Sequence, residues 1–171
     1  MFSARARMLV VLLCCALGVV QLRADVGSGV AFLVAGALFA YGHFRYGPVW
    51  LALRAARAGD IDRAATLLGQ VRRPAMLSRE SSAYYHLTQA VIMLARCEPA
   101  EAERALHGAL SLGLRTRNDR AVAHLLLAEV LLARSARIEA EAQLDIVDAV
   151  AKKPGLLERA RALRASLAVR S

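Results

Sequence analysis

The side chains best equipped for chemistry are scattered along this chain. Four histidines, His43, His86, His107 and His124, fall in separate segments. None has the close helical spacing that brings two imidazoles to one metal. His43 reads as an interfacial residue, and the other three as surface or inter-helix residues. Glu98, Glu101, Glu103, Glu139 and Glu141 gather at the starts of two predicted helices. Carboxylates there favour the positive end of the helix dipole, a simpler reading than general acid–base catalysis. Three cysteines make no disulfide framework. Cys14 and Cys15 lie in an apolar run as small hydrophobes, and Leu13 before Cys14 makes a poor lipoprotein cleavage site. Cys97 sits at a predicted turn. The chain lacks a glycine-rich phosphate loop, an HExxH and a Cys-x-x-Cys pair. No catalytic residue, metal ligand or cofactor is assigned, and the chain is not expected to be an enzyme.

The elements that carry these residues divide at Gly47-Pro48. Before it lie two nearly uncharged runs, Met8–Leu22 and Val26–Phe44, separated by a loop with Arg23 and Asp25. As helices, their 15 and 19 residues measure roughly 22 and 28 Å, against a bilayer core of about 30 Å. Tyr41, His43, Phe44 and Tyr46 beside Arg45 resemble an interfacial aromatic belt. Cys14 and Gly18, with Gly27, Ala31 and Ala35, form small-residue faces suited to a tight helical hairpin. Residues 1–47 are therefore expected to anchor the chain in membrane lipid through two transmembrane helices, about 8–22 and 26–44. Arg5 and Arg7 before the first run, and Arg45, Arg54 and Arg57 after the second, place both termini in the cytoplasm of a bacterial inner membrane. Arg23 and Leu22 disfavour cleavage of the first run as a secretory signal.

Residues 48–171 are Ala-, Leu- and Arg-rich with helical periodicity, and three stretches share one plan of helix, turn, helix. The first runs from Trp50 through Gly59, suited to ending a helix, to Asp60, suited to capping the next. The second is Ser82–Leu94, a turn at Ala95–Glu98, then Pro99–Leu112. The third is Asp119–Arg134, a turn at Ser135-Ala136, then Ile138–Val150. A last helix, Leu156–Val169, gathers Leu156, Ala160, Leu163 and Leu167 on one face, as a terminal capping helix does.

Gly59-Asp60-Ile61-Asp62-Arg63-Ala64, with Leu51-Ala52 and Ala55, resembles the tetratricopeptide repeat (TPR), a helix-turn-helix unit of about 34 residues. Tyr84, Leu87, Ala90, Ala102, Ala109 and Leu110 match it in the second stretch, across a turn about two residues longer than the family's. Leu127-Ala128, Leu131 and Ala140 match in the third, with Ser135 in place of the glycine. The resemblance implies an all-α fold, a short TPR-like α-solenoid of about three helix pairs with a C-terminal capping helix. It also implies a groove lined by the first helices that holds a protein or peptide segment. Carried over by position, that groove comprises Val49, Trp50, Leu53 and Arg57. Ser82, Tyr85, His86, Gln89 and Met93 follow in the second repeat, then Leu125, Glu129 and Leu132 in the third.

With Arg5, Arg7, Arg23 and Asp25 set aside, the chain keeps 20 basic against 13 acidic residues. Such an excess suits anionic lipid headgroups, acidic protein segments or nucleic acid. High arginine and alanine also fit GC-rich codon usage, and no aromatics interleave the bases, which disfavours nucleic acid. The expected function is a membrane-anchored protein-interaction scaffold or adaptor, with self-association as an option. The alternative is binding of anionic lipid or nucleic acid through the basic face.

Overall fold

The computed structural model describes residues 4–23, 25–46 and 48–169. Gly47, half of the expected break, lies outside the described residues, as do the side chains of His43, Phe44, Arg45 and Tyr46. Among the described residues the chain is all-helical: α1 Ala4–Gln21, α2 Val26–Tyr46, α3 Val49–Arg57, α4 Ile61–Gly69, α5 Arg79–Ala95, α6 Pro99–Leu112, α7 Arg117–Ala133, α8 Arg137–Val150 and α9 Pro154–Val169. A single 3-10 turn, Pro74–Met76, joins α4 to α5.

The first two helices pack against each other. Glycine permits the close approach: a methyl at Gly29 would stand 2.7 Å from the backbone nitrogen of Leu22, and one at Gly18 would stand 2.8 Å from Leu33 Cγ. Cys14 and Cys15 face Gly36. The close approach involves Gly18 and Cys14, as expected, with Gly29, Leu33 and Gly36 of α2, whereas Gly27 faces only the Asp25 carboxylate. Asp25 caps α2, its carboxylate accepting from Gly27 N–H at 3.2 Å and Ser28 N–H at 3.0 Å. Hydrogen bonds from Ser28, then Gly27, hold that carboxyl below the usual range.

The expected transmembrane character is overturned. Among the described residues no helix is long and apolar enough to cross a membrane. The helix lengths overstate the apolar lengths, because α1 carries Arg5 and Arg7 in its first turns. Helix α2 opens on Gly27-Ser28-Gly29 and closes through His43 and Arg45. The inner-membrane location with both termini cytoplasmic, which rested on those spans, goes with them.

The remaining helices form hairpins α3/α4, α5/α6 and α7/α8, with α9 packed on α7 and α8. Each hairpin turns on a residue with positive φ: Gly59 at 81°, Cys97 at 60° and Ser135 at 63°. Each turn is closed by the same two bonds. Asp60, Glu98 and Ala136 donate to Ala55, Met93 and Leu131 carbonyls at 3.0, 2.9 and 2.9 Å. Gly59, Cys97 and Ser135 donate to Ala56, Leu94 and Leu132 carbonyls at 3.1, 3.1 and 3.0 Å. The second turn is therefore no longer than the others.

These turn residues stand 38 positions apart, and the spacing holds well beyond them. Helices α7 and α8 begin 38 residues after α5 and α6. Their caps follow suit: Ser78 accepts from Ser81 N–H at 3.2 Å, and Thr116 accepts from Asp119 N–H at 3.0 Å. Ala52, Ala90 and Ala128 recur at this interval, as do Ala64, Ala102 and Ala140, all at 0% exposure. Alanine at these places lets paired helices approach closely. Leu68, Leu106 and Leu144 recur likewise and are buried.

Helix α3 is the exception. At the same spacing, the first turns of α5 correspond to the end of α2, and His86 corresponds to Pro48. Proline cannot continue a helix through its missing N–H and its clash with the preceding turn. The first repeat thus begins on a shortened helix. At the other end Ala160 and Leu167 of α9 are buried against Ala121, Leu125, Leu144 and Val147, the face expected of a capping helix. Arg159 pairs with Glu129 at 2.6 Å, and Arg164 pairs with Asp145 at 2.6 Å and with Asp148.

Candidate docking face on the first helices

Three repeats meet through one polar-aromatic cluster. Trp50 of α3 stacks on Tyr84 of α5, ring centroids 4.5 Å apart and planes tilted by 45°. The Tyr84 hydroxyl donates to Asp119 Oδ2 at 2.7 Å. Arg57 Nη2 donates to Asp119 Oδ1 at 2.6 Å. Thr116 fixes the backbone at Asp119 through its cap, so the carboxylate is presented from the first turn of α7. Burial, then the hydrogen bond to Asp119, push the Tyr84 phenol up to about 12. It is therefore protonated at neutral pH and acts as a donor that ties α5 to α7.

The expected groove residues separate into distinct groups. Val49, Leu53 and Leu125 are buried, at 0%, 4% and 1% exposure, as parts of the core. Trp50 remains 41% exposed above Tyr84. Arg57 and Glu129 are committed to ion pairs with Asp119 and Arg159. Tyr85, Met93 and Leu132 are half-buried against the core clusters. Ser82 and Gln89 are half-buried. His86 packs beside Gly108, where an added methyl would meet its ring at 3.4 Å, and contacts Tyr85 edge-on at 5.6 Å.

The 38-residue spacing gives the second repeat a different register from the one expected. Leu87, Val91 and Ala95 hold the places of Val49, Leu53 and Arg57, and Leu125, Glu129 and Ala133 hold them in the third repeat. Tyr85, Gln89 and Met93 stand two residues earlier. The slip follows from counting the Cys97 turn as overlong.

The structure brings together Trp50, Arg57, Tyr84 and Asp119. Of these, Tyr84 and Asp119 were not among the expected groove residues. Their partners lie 35 residues apart for Tyr84–Asp119 and 62 for Arg57–Asp119. A local sequence pattern carries no signal for either.

His124 Nδ1 lies 2.8 Å from Gln143 Oε1, an acceptor, which places the ring proton on Nδ1. Among the described residues no group of three or more His, Cys, Asp or Glu side chains is arranged to hold a metal ion. Comparison with protein families, with curated proteins and with solved structures finds no match to this chain.

Proposed function

We propose that this chain is a non-catalytic protein-binding module, a short stack of TPR-like helix hairpins that docks a protein segment on its first-helix face. The observation that carries the reading is Trp50. A large amphipathic ring stands partly open to solvent, stacked on the buried Tyr84. Partly exposed aromatics backed by a rigid support are the side chains that dominate protein interfaces. Tyr84 supplies the support, held by Asp119 and Arg57. The buried Val49 and Leu53 then serve the face by fixing α3, and contact with a partner falls to Trp50 and the side chains around it.

Arg54 is exposed and lies one helical turn from Trp50. A photoreactive residue in its place, in the full chain in cells, should capture one defined protein. Trp50→Ala should then weaken the purified complex by about thirtyfold, as loss of a hot-spot aromatic does. Capture of no protein, or an affinity unchanged by Trp50→Ala, would overturn the reading.

A further inference from the structure

Connections leading from each second helix to the next first helix collect at one end of the stack. The α4–α5 connection delivers Ser78 and Arg79 to the start of α5. There Arg79 Nε donates to the Leu112 carbonyl at 2.9 Å, and Glu80 lies 3.6 Å from Arg115 of the α6–α7 connection. The start of α7 in turn meets the α8–α9 connection, where Lys152 N–H donates to Asn118 Oδ1 at 3.0 Å. One continuous surface thus joins the starts of α5, α7 and α9.

This surface is basic and largely unneutralised. Arg72 and Arg73 stand in the first connection, Arg117 and Arg120 at the start of α7, and Lys152 and Lys153 in the last connection. All six are exposed, and none makes an ion pair among the described residues. Of the acids there, Glu80 is engaged with Arg115, Asp119 with Arg57 and Tyr84, and Asp148 with Arg164, while Glu158 stands just inside α9.

The turns of the second and third hairpins provide an internal control; the end of α3 does not, because Arg57 reaches Asp119 at the start of α7. Arg96, Arg134 and Arg137 lie there too, but Glu98, Glu101 and Glu139 stand among them. Arginine-rich codon usage would enrich bases at both places and does not explain why acids match the bases in number at these turns and fall short of them at the connections. Helix stability does not explain it either, because bases in the first turn oppose the helix dipole. Arg79, Arg117 and Arg120 occupy that unfavourable position, and α9 has no acid in its first turn. Three helix starts and the bases therefore add to one positive field.

We infer that this end docks an acidic segment of a protein partner, an inference that rests on the protein-docking reading above and gives that partner its chemistry. Packed helices lie about 10 Å apart, so the starts of α5, α7 and α9 span about 20 Å. That is the length of about six residues of extended peptide. The connections expose no aromatic ring on which bases would stack, which favours carboxylates over single-stranded nucleic acid.

The test uses the full chain and fluorescence anisotropy with a labelled peptide of about eight glutamates, at low and at physiological salt. We expect salt-sensitive binding. Arg117→Glu/Arg120→Glu and Lys152→Glu/Lys153→Glu should each weaken it by about tenfold or more, while Arg96→Glu/Arg134→Glu, at the second and third hairpin turns, changes it less than about twofold. Circular dichroism identifies any pair that fails to fold, and the other pair then decides. No binding at low salt, equal losses from both ends, or tighter binding to oligothymidylate of equal charge or to phosphatidylserine vesicles would overturn the inference. Capture of a protein through position 54 together with peptide failure would leave the docking reading standing and sink this one alone.

Discussion

Tyr84→Phe removes a single oxygen from the point where three repeats meet. The ring stays, so its stack on Trp50 is kept, and the loss falls on the 2.7 Å bond to Asp119. Hydrogen bonds to charged acceptors contribute about 1.5–3 kcal/mol. Asp119 keeps Arg57 and is 14% exposed, so water takes part of the vacated place. The expected cost is therefore about 1–2 kcal/mol near neutral pH. A second signature comes from titration. Folding raises the Tyr84 pKa from 10.0 to about 12, so the folded state holds this proton more tightly than the unfolded chain does. The associated stability is fully present below pH 10 and is lost as pH rises through 12. The full shift corresponds to at most about 2.7 kcal/mol, and screening at this helix end reduces it to about 1–2 kcal/mol. Urea unfolding of both proteins, followed by helical circular dichroism across this pH range, measures the gap between them. The gap should close between pH 10 and 12. A penalty below about 0.3 kcal/mol at neutral pH, or a gap that does not change with pH, would refute the account.

Further outcomes follow from the hairpin turns and their packing. Cys97→Gly and Ser135→Gly should each stabilise the chain by about 0.5–1 kcal/mol in thermal melts, because both residues hold a left-handed backbone that costs an L side chain. Gly59→Ala should cost about 1 kcal/mol by backbone alone, since an added methyl there meets nothing within 4 Å. Ala102→Leu should cost about 1–3 kcal/mol by overpacking a site with 0% exposure. The same change at exposed Ala100 should stay within about 0.5 kcal/mol.

Much of the fold is legible in local pattern. Gly59 and Asp60 announce a turn and a cap, Pro99 opens a helix, and the leucine stripe of α7 shows which face is buried. Cys97 and Ser135 fall in expected turns, but neither residue type marks the left-handed position within its turn, which the two closing backbone bonds impose. Without them the 38-residue spacing stays hidden and the second repeat is placed two residues out of register. The apolar runs mislead for a different reason. Hydropathy counts residues in a run, whereas crossing a bilayer demands apolar length along one helix, which the 15 residues of Met8–Leu22 do not reach and the Gly27-Ser28-Gly29 start of α2 shortens. Within the candidate site, Trp50 and Arg57 follow from their place on α3. Tyr84 and Asp119 required the tertiary arrangement, since nothing near them in sequence names their partners.

Regular spacing makes the joints between repeats interchangeable. Joining Ser78 directly to Arg117 would remove one whole unit and still set a cap hydroxyl before a helix start. The helical phase would be unchanged, because the excised length equals the period. Only the surfaces on either side of the cut would be strangers: α4 would meet Ala123 and Val130 where it now meets Tyr85 and Ile92. Length in this architecture is thus a separable property, set by how many units are strung together, while the identity of each unit resides in the side chains it turns toward its neighbours.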